Sequence, residues 1–238
     1  MGRLIDAPPL ELFLIIMTTA KVRLQPAATP TPRPGHIPFK YAEHWRSDIE
    51  LEEPKQSGIT VFMTQKAYIR ANVHAQSDRQ NEIGGWLIGS WREDQDTGEE
   101  FIIVERALPA LYAKRGSAYI TFTQDSQLAM FDIMEEKFPD KELVGWYHTH
   151  PKMSVFLSNY DLFLHNSFFP HHWQVALVIE PHGHTAGYFI RDAEGILDNR
   201  AYYGFHELTG GKYLSVVRWK NMTYQEPGEH GEMDYENE

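Results

Sequence analysis

The run Leu143-Val144-Gly145-Trp146-Tyr147-His148-Thr149-His150-Pro151, followed after a short spacer by Ser158-Asn159-Tyr160-Asp161, decides how the rest of this 238-residue chain is read. Its first five residues form an apolar run expected of a buried strand. On a strand, positions i and i+2 point to the same side, so His148 and His150 aim two imidazoles at one point. Pro151 ends the strand, having no N–H for the ladder. Ser158 to Asp161 reads as the first turn of a helix, with Ser158 and Asp161 on one face. Two imidazoles and a carboxylate converging from a strand and a helix make a three-ligand zinc site, the number a catalytic zinc uses while keeping a fourth position for water. Each half has an ordinary explanation as well. The chain holds 12 histidines, and Ser158 with Asp161 also fits a helix capping box. The two halves joined at this spacing favour the metal site.

Composition narrows the function. A net charge of −11 argues against nucleic acid or an anionic membrane as partner. Six acidic residues and no Lys or Arg fall between Glu226 and Glu238, so part of that charge is an acidic tail, read as disordered. The absence of cysteine removes disulfides, a thiol nucleophile and any Cys-based zinc site, and fits a cytoplasmic protein. The apolar stretch Leu10 to Met17 is too short to span a bilayer and is a poor signal peptide. It is expected to be a docked arm, or to precede a start at Met17.

Organisation follows from punctuation and periodicity. The proline-rich stretch between Pro26 and Pro38 reads as an extended linker, and 39–53 has no clear period. Regular structure is expected from Ile59: a strand to Met63, an N-cap at Thr64, and a helix from Gln65 to Ala75 with Tyr68, Ala71 and Ala75 inward. A glycine-rich buried strand spans 81–90. A turn at 94–98 leads into the strand 101–105. After a loop, 107–117, come a strand at 118–122 and a helix capped by Thr123 or Asp125, with Leu128, Phe131, Met134 and Phe138 on its apolar stripe. Beyond the metal stretch, 173–179 is a strand, 185–191 and 196–203 a closing hairpin, and 214–219 a last strand. The class is mixed α/β (α+β), a central mixed β-sheet flanked by helices. The expected divisions are 1–58 as an N-terminal extension, 59–207 as the catalytic domain, and 208–238 as a C-terminal segment.

A zinc-activated water still needs a group to take its proton. Glu82, an acid opening an apolar strand, is the leading candidate, because a buried charge is costly unless it is paired or used. A strand-edge Glu82 in solvent is the plain alternative. Glu105 is the rival, with Arg106 beside it as an ordinary ion-pair partner.

With Glu82-Ile83-Gly84-Gly85-Trp86-Leu87-Ile88-Gly89, then His148-Thr149-His150-Pro151 and, seven residues on, Ser158-Asn159-Tyr160-Asp161, the chain resembles the JAMM (JAB/MPN, Mov34/PAD-type) zinc metalloprotease family from about Ile59 to Tyr203. The resemblance implies a single MPN/JAB-like domain. In it His148, His150 and Asp161 bind one Zn2+ per chain, Glu82 is the general acid/base, and Ser158 holds the attacking water or supports the oxyanion. The compact form is similar to the stand-alone prokaryotic branch, which implies a ubiquitin-like protein or its conjugates as partner, with associated ubiquitin-like activating and conjugating enzymes. The implied activity is hydrolysis of the amide bond after the C-terminal tail of that protein. Alternatives are a peptidase processing a sulfur-carrier protein, or a non-catalytic MPN scaffold. The loop 107–117, with Tyr112, Lys114 and Arg115, is the expected clamp on the tail. His165, His171, His172, His182 and His184 are expected to be surface or structural residues rather than a second metal site.

Overall fold

A computed structural model describes residues 30–53, 56–210 and 214–226. The expectations for the apolar arm at 10–17 and for the acidic tail fall outside the described residues, apart from Glu226. In chain order the elements are β1 (Arg33–Gly35), β2 (Ala42–Ser47), α1 (Asp48–Glu52), β3 (Thr60–Thr64), α2 (Gln65–Ser77), β4 (Gly84–Asp94) and β5 (Glu100–Pro109). There follow β6 (Lys114–Gly116), β7 (Tyr119–Thr121), α3 (Gln124–Lys137), β8 (Glu142–Thr149), α4 (Asn159–Phe168), β9 (Val175–Glu180), β10 (Thr185–Phe189), β11 (Phe205–Leu208) and β12 (Met222–Gln225). None of the described helices is long and apolar enough to cross a membrane.

The sheet is mixed, in the order β10-β9-β8-β4-β5-β3-β11-β2-β12, with β1 added beside the far end of β4. β8 runs antiparallel to β4 and parallel to β9. Alternation along the central strands divides the core in two. Tyr147 and Leu177 pack with Ala67, Tyr68, Ala71 and Ala75 of α2. Trp146 and Val178 pack with Met130 of α3 and Leu164 of α4. His148, two residues beyond Trp146, therefore faces α4.

The glycines of β4 are required by close approach. A Cβ on Gly85 would run into the Leu108 carbonyl and the Tyr147 ring, and one on Gly84 into the Tyr147 carbonyl. Larger residues would push β4 away from β5 and β8, the strands that frame the site.

Several elements differ from the sequence reading. β1 and β2 lie in the stretch assigned to an extension, yet both join the sheet. β2 pairs with β11 and β12, and Arg33 of β1 forms an ion pair with Glu142 at 2.7 Å. β2 shows no periodicity because five of its six residues are only half-buried. Half of the expected apolar stripe of α3 is turned outward: Leu128 and Phe131 are exposed, Met134 packs against the core, and the helix buries Ser126 and Met130. Residues 196–203 form no strand beyond one bridge between Tyr188 and Tyr203. Asp192 and Asp198 accept from backbone amides there and fold the segment into turns. The segment 214–219 is not a strand either. It lies against α2, with Trp219 Nε1–H donating to Asn72 and the Arg218 amide to the Tyr68 hydroxyl. The strand at 118–122 shortens to β7, which forms a separate hairpin with β6 inside the stretch read as a loop.

Candidate metal centre and active site

His148 is the last residue but one of β8, and His150 lies just beyond the strand, its amide donating to the Ile179 carbonyl at 3.0 Å. Ser158 is the N-cap of α4. Its hydroxyl accepts from the Asp161 amide at 3.1 Å and donates to Asp161 Oδ2 at 2.6 Å, and the Ser158 amide donates to the same oxygen at 2.8 Å. The capping box and the metal-ligand geometry thus coexist in the same residues, and the cap fixes the carboxylate's direction.

The three candidate ligands converge. His148 Nε2 lies 3.0 Å from His150 Nε2 and 3.4 Å from Asp161 Oδ1, and His150 Nε2 lies 3.6 Å from Asp161 Oδ2. All three residues are buried, and their donor atoms lie within 4.8 Å of one another. Burial pushes the Asp161 carboxyl up, but His148 and the hydrogen bonds from His148, His150 and Ser158 outweigh it and hold the group well below the usual carboxylate range. Burial draws His148 down from its ordinary value, favouring the neutral imidazole that a metal requires. Two imidazoles and a carboxylate form a donor set suited to zinc. His150 has its outer nitrogen 3.3 Å from the Ser154 carbonyl, whereas His148 Nδ1 is buried with no hydrogen-bond partner.

Glu82 sits beside this group. The Thr149 amide donates to the Ile83 carbonyl at 2.8 Å, the Ile83 amide donates to the Thr149 hydroxyl at 3.0 Å, and the Glu82 amide donates to Gly116 at 2.7 Å. These bonds bring Glu82 Oε1 to 3.9 Å from His150 Nε2. Glu82 is 3% exposed, so the strand-edge alternative does not apply. Burial, reinforced by Asp161 and opposed by His150, raises its carboxyl to about 7. A carboxyl poised there can take a proton and return it near neutral pH. The Glu105 carboxylate is engaged elsewhere, 2.6 Å from Lys141 Nζ, while Arg106 donates to the Glu105 backbone carbonyl.

A cleft of about 290 Å3 is lined by Ile83, the residue after Glu82, and by Gly84, Tyr112, Arg115, Ile120 and His74 among others. Of the expected clamp residues, Tyr112 and Arg115 line it and Lys114 does not. The sequence reading missed His74, which reaches the cleft from α2 and lies 2.8 Å from the Tyr147 hydroxyl; no local motif marks it. The other histidines singled out in the sequence form no second metal group among the described residues. His165 lies between Trp146 and Arg191, His172 beside Glu100, and His182 against the Arg79 carbonyl, while His171 stacks on Trp173. A second grouping, His36, Asp94 and Asp96, lies at the β4–β5 turn. Asp94 accepts there from the amides of Ile37 and Thr97, an ordinary turn function.

Residues 56–170 match the family described as "JAB1/Mov34/MPN/PAD-1 ubiquitin protease". The ubiquitin carboxyl-terminal hydrolase RPN11 of Saccharomyces cerevisiae is 25% identical over 143 residues, covering 60% of this chain and 45% of that protein. The 26S proteasome non-ATPase regulatory subunit 14 of Caenorhabditis elegans is 25% identical over 135 residues, covering 56% of this chain and 42% of that protein. The chain thus spans under half the length of these curated relatives. A solution structure of a protein from Desulfitobacterium hafniense is 22% identical with a TM-score of 0.44, covering 59% of this chain and 90% of that one.

Proposed function

The chain belongs to the JAB1/Mov34/MPN/PAD-1 family through the domain at residues 56–170, and from that premise we propose that it is a zinc-dependent isopeptidase. Its substrate is the amide bond after the C-terminal tail of a ubiquitin-like protein. The observation that carries this reading is the buried convergence of His148, His150 and Asp161 with a fourth protonatable group, Glu82, 3.9 Å from His150. A scaffold role would not need to bury these ionisable groups together, since burying polar groups is costly unless they are paired or used.

His148, His150 and Asp161 would hold the ion. When bound, zinc supplies Lewis acidity, making a water nucleophilic near pH 7 and polarising the scissile carbonyl. The residues of the chain do the rest. Glu82 receives the proton of the attacking water on its carboxylate as the C–O bond forms. It then gives that proton to the leaving amine as the C–N bond breaks, so atoms and charge balance over the cycle. Ser158 holds Asp161 in place through the cap, and its role at the carbonyl oxygen requires its hydroxyl proton to turn from Asp161 Oδ2, which keeps the Ser158 amide, toward the developing negative charge. The cleft beside Gly84, walled by 109–113 and Arg115, suits an extended tail with small residues next to the scissile bond.

RPN11 of Saccharomyces cerevisiae carries the description ubiquitin carboxyl-terminal hydrolase, which supports the same substrate class here. The test is a ubiquitin-like protein fused through its tail to a reporter. Chelator-sensitive cleavage after the tail is expected. Binding of the fusion without cleavage by the zinc-loaded chain would favour the scaffold reading.

A further inference from the structure

The two imidazole ligands are supported differently. His150 has a carbonyl near its outer nitrogen, while His148 has no hydrogen bond there. A ligating histidine is ordinarily oriented by a hydrogen bond to its second nitrogen. His148 instead lies flat on Trp146, with ring centroids 4.5 Å apart and planes 9° from parallel. Its orientation therefore depends on what fixes the indole.

The indole is fixed from α4. Trp146 Nε1–H donates to His165 Nδ1 at 3.0 Å, and Arg191 Nη1 reaches the other ring nitrogen, Nε2, at 2.8 Å. Both neighbours are donors, which excludes the doubly protonated ring; the neutral ring has one acceptor nitrogen, and with Nδ1 accepting from the indole the Arg191 contact is one of packing and position. Arg191 is 6% exposed, and its guanidinium also donates to Asn166 Oδ1 and to the carbonyls of Phe169 and His171. Those groups lie at the C-terminal end of α4, where a cation is favoured by the unpaired carbonyls. His165 follows Asp161 by four residues, which puts both on one helix face.

We propose that the buried Arg191–His165 pair is the positioning device of the metal centre. It clamps the end of α4, which carries Asp161, and pins the indole against which His148 is oriented. The pair touches no substrate. It replaces, through an aromatic plate, the hydrogen bond that His148 lacks. This inference rests on the reading of His148, His150 and Asp161 as zinc ligands.

The test measures zinc affinity of the full chain by competition with a chromophoric chelator, together with the melting temperature of the metal-free protein. The wild type is measured first, and failure to bind zinc would overturn the metal reading itself. Arg191→Met and His165→Phe are expected to remain folded without metal yet bind zinc about 10- to 100-fold more weakly. His165→Gln, whose amide oxygen can accept from the Trp146 indole, should recover most of that loss. The double variant should be no weaker than the weaker single one, because both changes disable one device. A lower metal-free melting temperature with unchanged zinc affinity would show a merely structural role and overturn the proposal. If Arg191→Met or His165→Phe does not fold, Arg191→Lys decides. It keeps the charge and loses the planar fork, so weakened zinc binding supports the proposal and wild-type affinity overturns it.

Discussion

Ile83 and Thr149 hold each other by two hydrogen bonds: the Ile83 amide donates to the Thr149 hydroxyl at 3.0 Å, and the Thr149 amide donates to the Ile83 carbonyl at 2.8 Å. Glu82 precedes one partner, and His148 and His150 flank the other. The clasp therefore sets the distance between the proposed base and the proposed ligands. Thr149→Val removes one bond and keeps the shape. A buried amide left without its acceptor costs about 1–3 kcal/mol, so we expect a lower melting temperature, reduced kcat and unchanged zinc stoichiometry. Wild-type kcat in the variant would show that the clasp does not position Glu82.

Glu82→Gln keeps the volume and removes the proton acceptor. It should retain zinc and lose about 100- to 10,000-fold in kcat, the usual contribution of a general acid/base. Metal analysis beside turnover separates the two effects, and near-normal turnover would remove Glu82 from the mechanism.

Much of this arrangement was legible in the sequence. His148, His150 and Asp161 could be placed because a strand period of two and one helical turn fix side-chain directions locally. The N-cap at Thr64 and the buried face of α2 followed from the same local rules, whereas Thr123 and Asp125 were both open as the cap of α3 and the structure uses Thr123. Glu82 needed a long-range pairing, Gly84 opposite His148, which the residues alone do not encode; it was singled out because an acid in an apolar run is anomalous. β2 was illegible because half-buried strands lack a clean alternation. The outward turn of Leu128 and Phe131 on α3 could not be read because a helical stripe does not say which face the sheet will accept. His165 looked like one of several scattered histidines until Arg191, distant in sequence, was placed beside it.

Removing the metal should destabilise the fold. A ligand that binds only the native state at about a hundred times its Kd adds about 2.7 kcal/mol. For a chain of this size that corresponds to a rise in Tm of roughly 5–10 °C on adding zinc to the metal-free protein. Asp161→Asn, which loses the charged ligand, should abolish the rise. A zinc-induced rise that survives Asp161→Asn would place the ion elsewhere.

Acid should destabilise the metal-free protein partly through His165. Burial, with Arg191 adding to it, lowers this imidazole to about 3. The folded state therefore keeps the ring neutral while the unfolded chain protonates it near 6.5. The contribution to stability is fully present above about pH 6.5 and is lost as pH falls from there toward 3. In denaturant titrations, His165→Gln should show a shallower loss of stability than wild type across that window. Parallel curves would show that His165 does not titrate on unfolding.

Gly85→Ala tests the strand packing that frames the centre. The new methyl would meet the Leu108 carbonyl and the Tyr147 ring. Overpacking of this kind costs about 1–3 kcal/mol, to be read as a lower denaturation midpoint. An unchanged midpoint would show that β4 and β5 can part without loss.

The most direct measurement of the central claim is scission of a panel of ubiquitin-like proteins fused through their tails to a reporter, using the full chain loaded with zinc. The account predicts cleavage at the bond after the tail in at least one fusion, abolished by chelator, restored by added zinc, and absent in Glu82→Gln. A folded, zinc-loaded chain that leaves every fusion intact, or cleavage that persists in Glu82→Gln, would contradict it.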